Sequence, residues 1–143
     1  MELVGRILNS RLWLIIMGLM LTAFMLIGLV SGQVVDGAAT FWNRELTENE
    51  LNMAAVIEIV WSAHVLGMGI MILGIGLFAA DPVRARIGAV AVLAAMGSQF
   101  LAAIWSANFG YAGANGFNAF AVLIMVVPLI TLIACLSKLN ARR

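Results

Sequence analysis

"VIEIVWSAHVLGMG", residues 56–69, reads as the middle of a membrane helix, yet it carries Glu58, Trp61, Ser62 and the chain's single histidine, His64. A carboxylate and an imidazole within so apolar a run need a reason. The run itself extends over residues 53–80. That exceeds the ~20 residues needed to cross ~30 Å of hydrocarbon. Three further apolar runs flank it, at residues 12–30, 87–107 and 119–136. Backbone groups find no water to bond in lipid, so runs of this kind must be helices. No barrel-like alternation of apolar and polar residues occurs. The expected fold is an all-α membrane protein, a four-transmembrane-helix bundle in one domain over residues 1–143. Its helices are expected at about 12–30, 48–80, 87–107 and 119–137.

Composition agrees. Apolar residues make up 64% of the chain and charged residues 10%, against about 25% charged in soluble domains. Mean hydropathy is +1.07. The formal net charge is +1, and there is no basic, aromatic-interleaved patch, so nucleic acid is not an expected partner. The lipid bilayer is. A single cysteine, Cys135, leaves no intrachain disulfide and no cysteine-based metal cluster. Between Ala134 and Leu136 it reads as an inert buried thiol.

The first run has features of a signal peptide: Arg6 and Arg11 precede it, and Val30, Ser31 and Gly32 resemble a cleavage site. Its 19 residues exceed the 7–15 of a signal's apolar core, so it reads as the first transmembrane helix. Orientation follows from Lys and Arg placement. Arg6, Arg11, Arg84, Arg86, Lys138, Arg142 and Arg143 fall on one side, and only Arg44 on the other. Both termini and the "DPVRAR" turn are therefore expected in the cytoplasm, with the chain multi-pass in the cell membrane. Loops 31–52 and 108–118 are expected to face outward. Thr47 and Glu50 fit a capping box that starts the second helix near Glu48. A helix over 48–80 would be ~50 Å long, so it should tilt or extend beyond the outer membrane face. The second outer loop, "NFGYAGANGFN", is uncharged and rich in Gly and Asn, and reads as an irregular interfacial connection.

Helices associate in lipid where small residues let backbones approach. The third helix carries Gly88, Ala91, Ala95, Ser98 and Ala102 at spacings of 3 and 4, a heptad-like seam. The second carries Ser62, Gly69 and Gly76 on one face and Ala63, Gly67 and Gly74 on another. The first ends in Gly28 and Gly32, and the fourth holds Pro128, which is expected to kink it.

At 100° per residue, Glu58 shares its azimuth with Gly76 and lies near Ser62 and Gly69. That places it on a packing face. His64 lies 120° away, with Trp61 between, on a face with Met68 and Met71. Counting from the cytoplasmic turn, His64 is ~25 Å and Gln99 ~22 Å deep at 1.5 Å per residue, so the two should be level. Glu58 should be level with Trp105, Ser106 and Asn108. Polar residues of the second and third helices thus gather in the outer half, where Gln33 can join them. Intramembrane ionisable groups usually face the bundle interior or a cavity. The candidate ligand-binding residues are Glu58, Trp61, His64, Gln99 and Trp105.

Each has a structural reading too. Glu58 can sit in water at the outer interface, His64 can be neutral and bonded to Gln99 or a carbonyl, and Trp42, Trp61 and Trp105 can be aromatic-belt anchors. Three functional readings stand beside these: a proton- or cation-linked site at Glu58 with tryptophan faces, a metal or haem ligand at His64, and a lipid- or quinone-type pocket. The metal reading is weak, because one histidine with Met68 and Met71 is not a specific pattern. No Ser-His-Asp set, HExxH or phosphate loop is present, so no catalytic residue and no cofactor is assigned. The outline is shared by many small membrane proteins and points to no particular family. The expectation is a non-catalytic accessory or structural subunit of a larger membrane complex, or one that self-associates through small-residue faces. The alternative is a small carrier or lipid/quinone-type ligand-binding protein built around Glu58, His64 and Gln99.

Overall fold

The computed structural model describes residues 8–111 and 119–139. Arg6, Arg142, Arg143 and the outer loop past Tyr111 lie outside them. Among the described residues the chain is all helical, joined by one isolated β-bridge between Trp42 and Tyr111. Helix α1 is Ser10–Val30, α2 is Gln33–Gly37, α3 is Glu48–Phe78, α4 is Val83–Ala107 and α5 is Ala119–Leu136, with a short 3-10 turn, Ala38–Phe41, after α2. Three of these, α1, α3 and α4, are long and apolar enough to cross a membrane; the apolar part of α5, Val122–Leu136, is shorter.

Local chemistry sets the ends. The Asn9 side chain accepts from the backbone N–H groups of Arg11 and Leu12 at 3.0 and 3.3 Å, so α1 starts two residues before the apolar run does. Gly32 takes φ 78°, a left-handed conformation that glycine adopts without a Cβ clash, and the chain there turns into α2. Gly32 thus serves a turn and not helix packing. The expected capping box is present: Thr47 Oγ1 caps the Glu50 N–H, and Glu50 reaches back to the Thr47 N–H at 2.9 Å. At the opposite end of α3, Arg84 Nε donates to the Ala79 carbonyl at 2.7 Å and its guanidinium pairs with Asp81 at 3.3 Å. These bonds staple the turn and let α4 begin at Val83, four residues before the apolar run.

The closest contact is between α1 and α3. A methyl group built on Gly18 would lie 2.5 Å from the Leu73 backbone nitrogen, and one on Gly69 2.8 Å from that of Thr22. Gly76 rests against Leu14 and Ile15 in the same way. Ala54, Glu58, Ser62, Val65, Gly69, Ile72 and Gly76 are all buried, so α3 has one continuous covered face at spacings of 3 and 4. The second small-residue face is not covered: Gly67 and Gly74 have nothing within 4 Å of a built Cβ. Leu14 is the meeting point of three helices, touching Gly76 of α3 and Gly88 of α4. Helix α5 closes this core with Val127 and Cys135, and its Thr131 hydroxyl donates to the Trp13 carbonyl of α1 at 3.3 Å and to Val127 at 2.7 Å. Cys135 is buried as expected.

The α4 seam is covered over only half its length. Gly88, Ala91 and Ala95 are buried, whereas Ser98 and Ala102 on the same stripe are exposed. The heptad spacing is uniform, but among the described residues no helix covers it past Ala95. Leucine at Ala95 should therefore lower the thermal midpoint of the purified protein, because overpacking costs about 1–3 kcal/mol. Leucine at Ala102 should leave it unchanged. Equal melting of both variants would contradict the half-covered seam.

Candidate functional site

Glu58 lies on the covered face of α3 and is 5% exposed. Its partner comes from the far end of α4. There Tyr111 N donates to the Ser106 carbonyl and Gly110 N to that of Ala107, both at 3.2 Å. Gly110 has φ 86°. This is a Schellman C-cap, in which a left-handed glycine turns the chain back against the helix end. The turn aims Tyr111 at α3, where its hydroxyl donates to Glu58 Oε1 at 2.8 Å. Asn43 N donates to the Gly110 carbonyl at 3.0 Å, and the Trp42–Tyr111 bridge runs alongside, so the segment between α2 and α3 is tied to the same point.

Three aromatic rings surround Tyr111. The ring centroids of Phe41, Trp42 and Trp61 lie 5.6, 5.7 and 6.4 Å from its own. Trp42 packs edge-on at 89°, an arrangement that complementary ring charge distributions favour. Burial, then the hydrogen bond to Glu58, pushes the Tyr111 hydroxyl above its usual range. The phenol stays protonated and remains the donor.

The other expected site residues are elsewhere. His64 is exposed, and its Nδ1 lies 2.8 Å from the Val60 carbonyl one turn back on its own helix. Trp105 is 67% exposed, and Gln99 is half-buried on α4. Among the described residues no hydrogen bond joins His64 to Gln99 or to Glu58. Ser98 and Ser106 hydroxyls donate to carbonyls of their own helix, at 3.0 and 3.3 Å, and Gln33 is exposed at the start of α2. Of the five candidates, the structure thus brings together Glu58 and Trp61. Depth counting places residues at a height but does not give their azimuth around the bundle. Tyr111 was missed, although two signals were legible: it is the chain's one tyrosine, and it directly follows a glycine at a helix end.

Nearby, Arg44 and Glu50 form a forked ion pair with distances of 2.6 and 3.1 Å. Twenty residues counted back from Phe78 end near Ile59, so Glu50 lies outside the membrane-crossing part of α3. The Arg44 guanidinium and the Thr47 cap hold its carboxyl down to about 2. Both groups are solvated, so the pair adds little stability. A shallow open hollow of about 570 Å³ lies between Arg44 and Trp42, lined also by Ala39, Leu46 and Leu51. Among the described residues no group of three His, Cys, Asp or Glu side chains is placed to hold a metal ion. No family model, curated protein or solved structure matches this chain.

Proposed function

We propose that this chain is a small, non-catalytic accessory subunit of a larger membrane assembly. It spans the cell membrane four times, with α5 as the fourth crossing. Both termini are cytoplasmic, on the side of the Arg84 turn that carries most of the basic residues. The observation that carries this reading is the bare half of α4. From Ser98 to Trp105 only Gln99 is even half-buried, and Phe100, Leu101, Ile104 and Trp105 are 67%, 58%, 48% and 67% exposed. Ser98 and Ala102 supply small residues within that surface, which suit close approach by a helix of another subunit or of a second copy. Glu58, the one carboxylate on the covered face of α3 among the described residues, is engaged within the chain by Tyr111. That suits a stabilising role better than turnover. The carrier reading would need Glu58, His64 and Gln99 on a shared pocket, whereas Glu58 is bonded by Tyr111 and His64 by its own helix.

Native electrophoresis of mildly solubilised membranes tests the proposal. The parent should migrate in an assembly larger than one copy. Ala102→Leu, which should not unfold the chain, should release it as a monomer. A parent that already runs as a monomer in every mild detergent would overturn the reading.

A further inference from the structure

Among the described residues Glu58 is a buried carboxylate without a cationic partner. Among the described residues the ion pairs are those of Arg44 with Glu50 and of Arg84 with Asp81, and His64 is turned to its own helix. A carboxylate in apolar surroundings is costly unless it is paired. Here a neutral phenol is its hydrogen-bond partner, and that phenol stands among three aromatic rings. A positive charge at the Tyr111 ring position would lie 5.6 and 5.7 Å from the centroids of Phe41 and Trp42, with Trp61 just farther out at 6.4 Å. Cation–π attraction acts within about 6 Å of a ring centroid. Aromatic walls over a carboxylate are the chemistry that recognises organic ammonium groups. Of these residues Trp42 also lines the open hollow described above.

We propose that Glu58, Phe41, Trp42 and Trp61 form a binding site for an organic ammonium group, and that Tyr111 is its built-in occupant. In the closed form the Tyr111 hydroxyl satisfies Glu58 and its ring fills the aromatic walls. A ligand cation displaces the side chain and supplies the charge that Glu58 lacks. The same chemistry is carried by a free ammonium ion and by a choline lipid headgroup.

The test is equilibrium dialysis of labelled tetramethylammonium against the full chain in neutral maltoside micelles at constant ionic strength. Tyr111→Ala should bind saturably, at least ~10-fold tighter than the parent, since the internal competitor is gone. Adding Glu58→Gln to that variant should lose at least ~10-fold, about 1.4 kcal/mol. Tyr111→Phe keeps the ring, and so the packing, but frees Glu58. It should bind several-fold tighter than the parent, and it keeps the test valid if Tyr111→Ala does not fold. Binding no tighter in Tyr111→Phe than in the parent, or unaffected by Glu58→Gln, overturns the proposal. Repeating the titration with phosphatidylcholine added to the micelles separates the sources. Weaker apparent binding identifies the lipid headgroup, and unchanged binding identifies a free ion.

Discussion

Replacing Gly18 with alanine should force α1 and α3 apart and lower the stability of the whole bundle. The added methyl would meet the Leu73 backbone nitrogen at 2.5 Å, its Cα at 2.6 Å and its Cβ at 2.7 Å. No side-chain rotation relieves a clash with backbone, so one helix must move. Overpacking of this kind costs typically about 1–3 kcal/mol, occasionally more. The upper end is expected, because Gly69 and Gly76 hold the same pair of helices at the same short distance. Tryptophan fluorescence during denaturation in mixed micelles measures the loss, with Gly67→Ala as control. Gly67 has open space around it, and alanine there should be neutral or stabilising by up to ~1 kcal/mol through helix propensity. If both variants unfold alike, the α1 and α3 interface is looser than described.

Leu14→Ala should be the most damaging truncation. Leu14 is 0% exposed and touches both Gly76 and Gly88. Glycine on two sides means that neighbouring side chains cannot swing in to refill the space. Leu→Ala changes in cores cost about 2–5 kcal/mol, rising with the cavity that remains. The upper half of that range is expected here. Leu19, on the same helix but 51% exposed, should tolerate alanine with a loss below ~1 kcal/mol. Denaturation midpoints of the two variants give the comparison. A similar loss in both would mean that Leu14 is not the hub where three helices meet.

The helices themselves were legible because hydrocarbon leaves the backbone one option. The lengths of α1, α3 and α4 follow from apolar runs, and Thr47 and Glu50 mark the start of α3 by a side-chain motif. The inward azimuth of Glu58 also followed from spacing, since it shares a face with glycines that must be packed. What could not be read was which neighbour each face meets. The Ser98 and Ala102 end of the α4 seam has the same spacing as its Gly88 end, yet only the latter meets Leu14 and Cys135. The helical segments between Gln33 and Phe41 read as loop in the sequence, because elements this short show no periodicity. Their Ala38 is 1% exposed, so this connection is packed and not simply a linker. Tyr111 escaped for a related reason. Its role depends on a backbone turn at Gly110 and on a residue 53 positions away, and no local pattern encodes that distance.

The length of α3 has a consequence for where the protein can reside. Its 31 residues measure ~46 Å, at 1.5 Å per residue. Standing upright in a hydrocarbon core of ~30 Å, it would leave roughly 16 Å projecting, with the boundary, counted from Phe78, beside Glu58. Cellular bilayers differ in thickness by a few ångströms, about 27 Å in the thinnest secretory membranes and 32–33 Å where sterols are abundant. Each added 3 Å covers about two more residues of α3, enough to draw the Glu58 carboxylate and its tyrosine under the lipid surface. The helix thus carries a polar mark at a fixed height. A thin membrane would leave that mark at its edge, and a thick one would have to dimple around it or have the helix tilt, so bilayer thickness itself would bear on where this chain is comfortable.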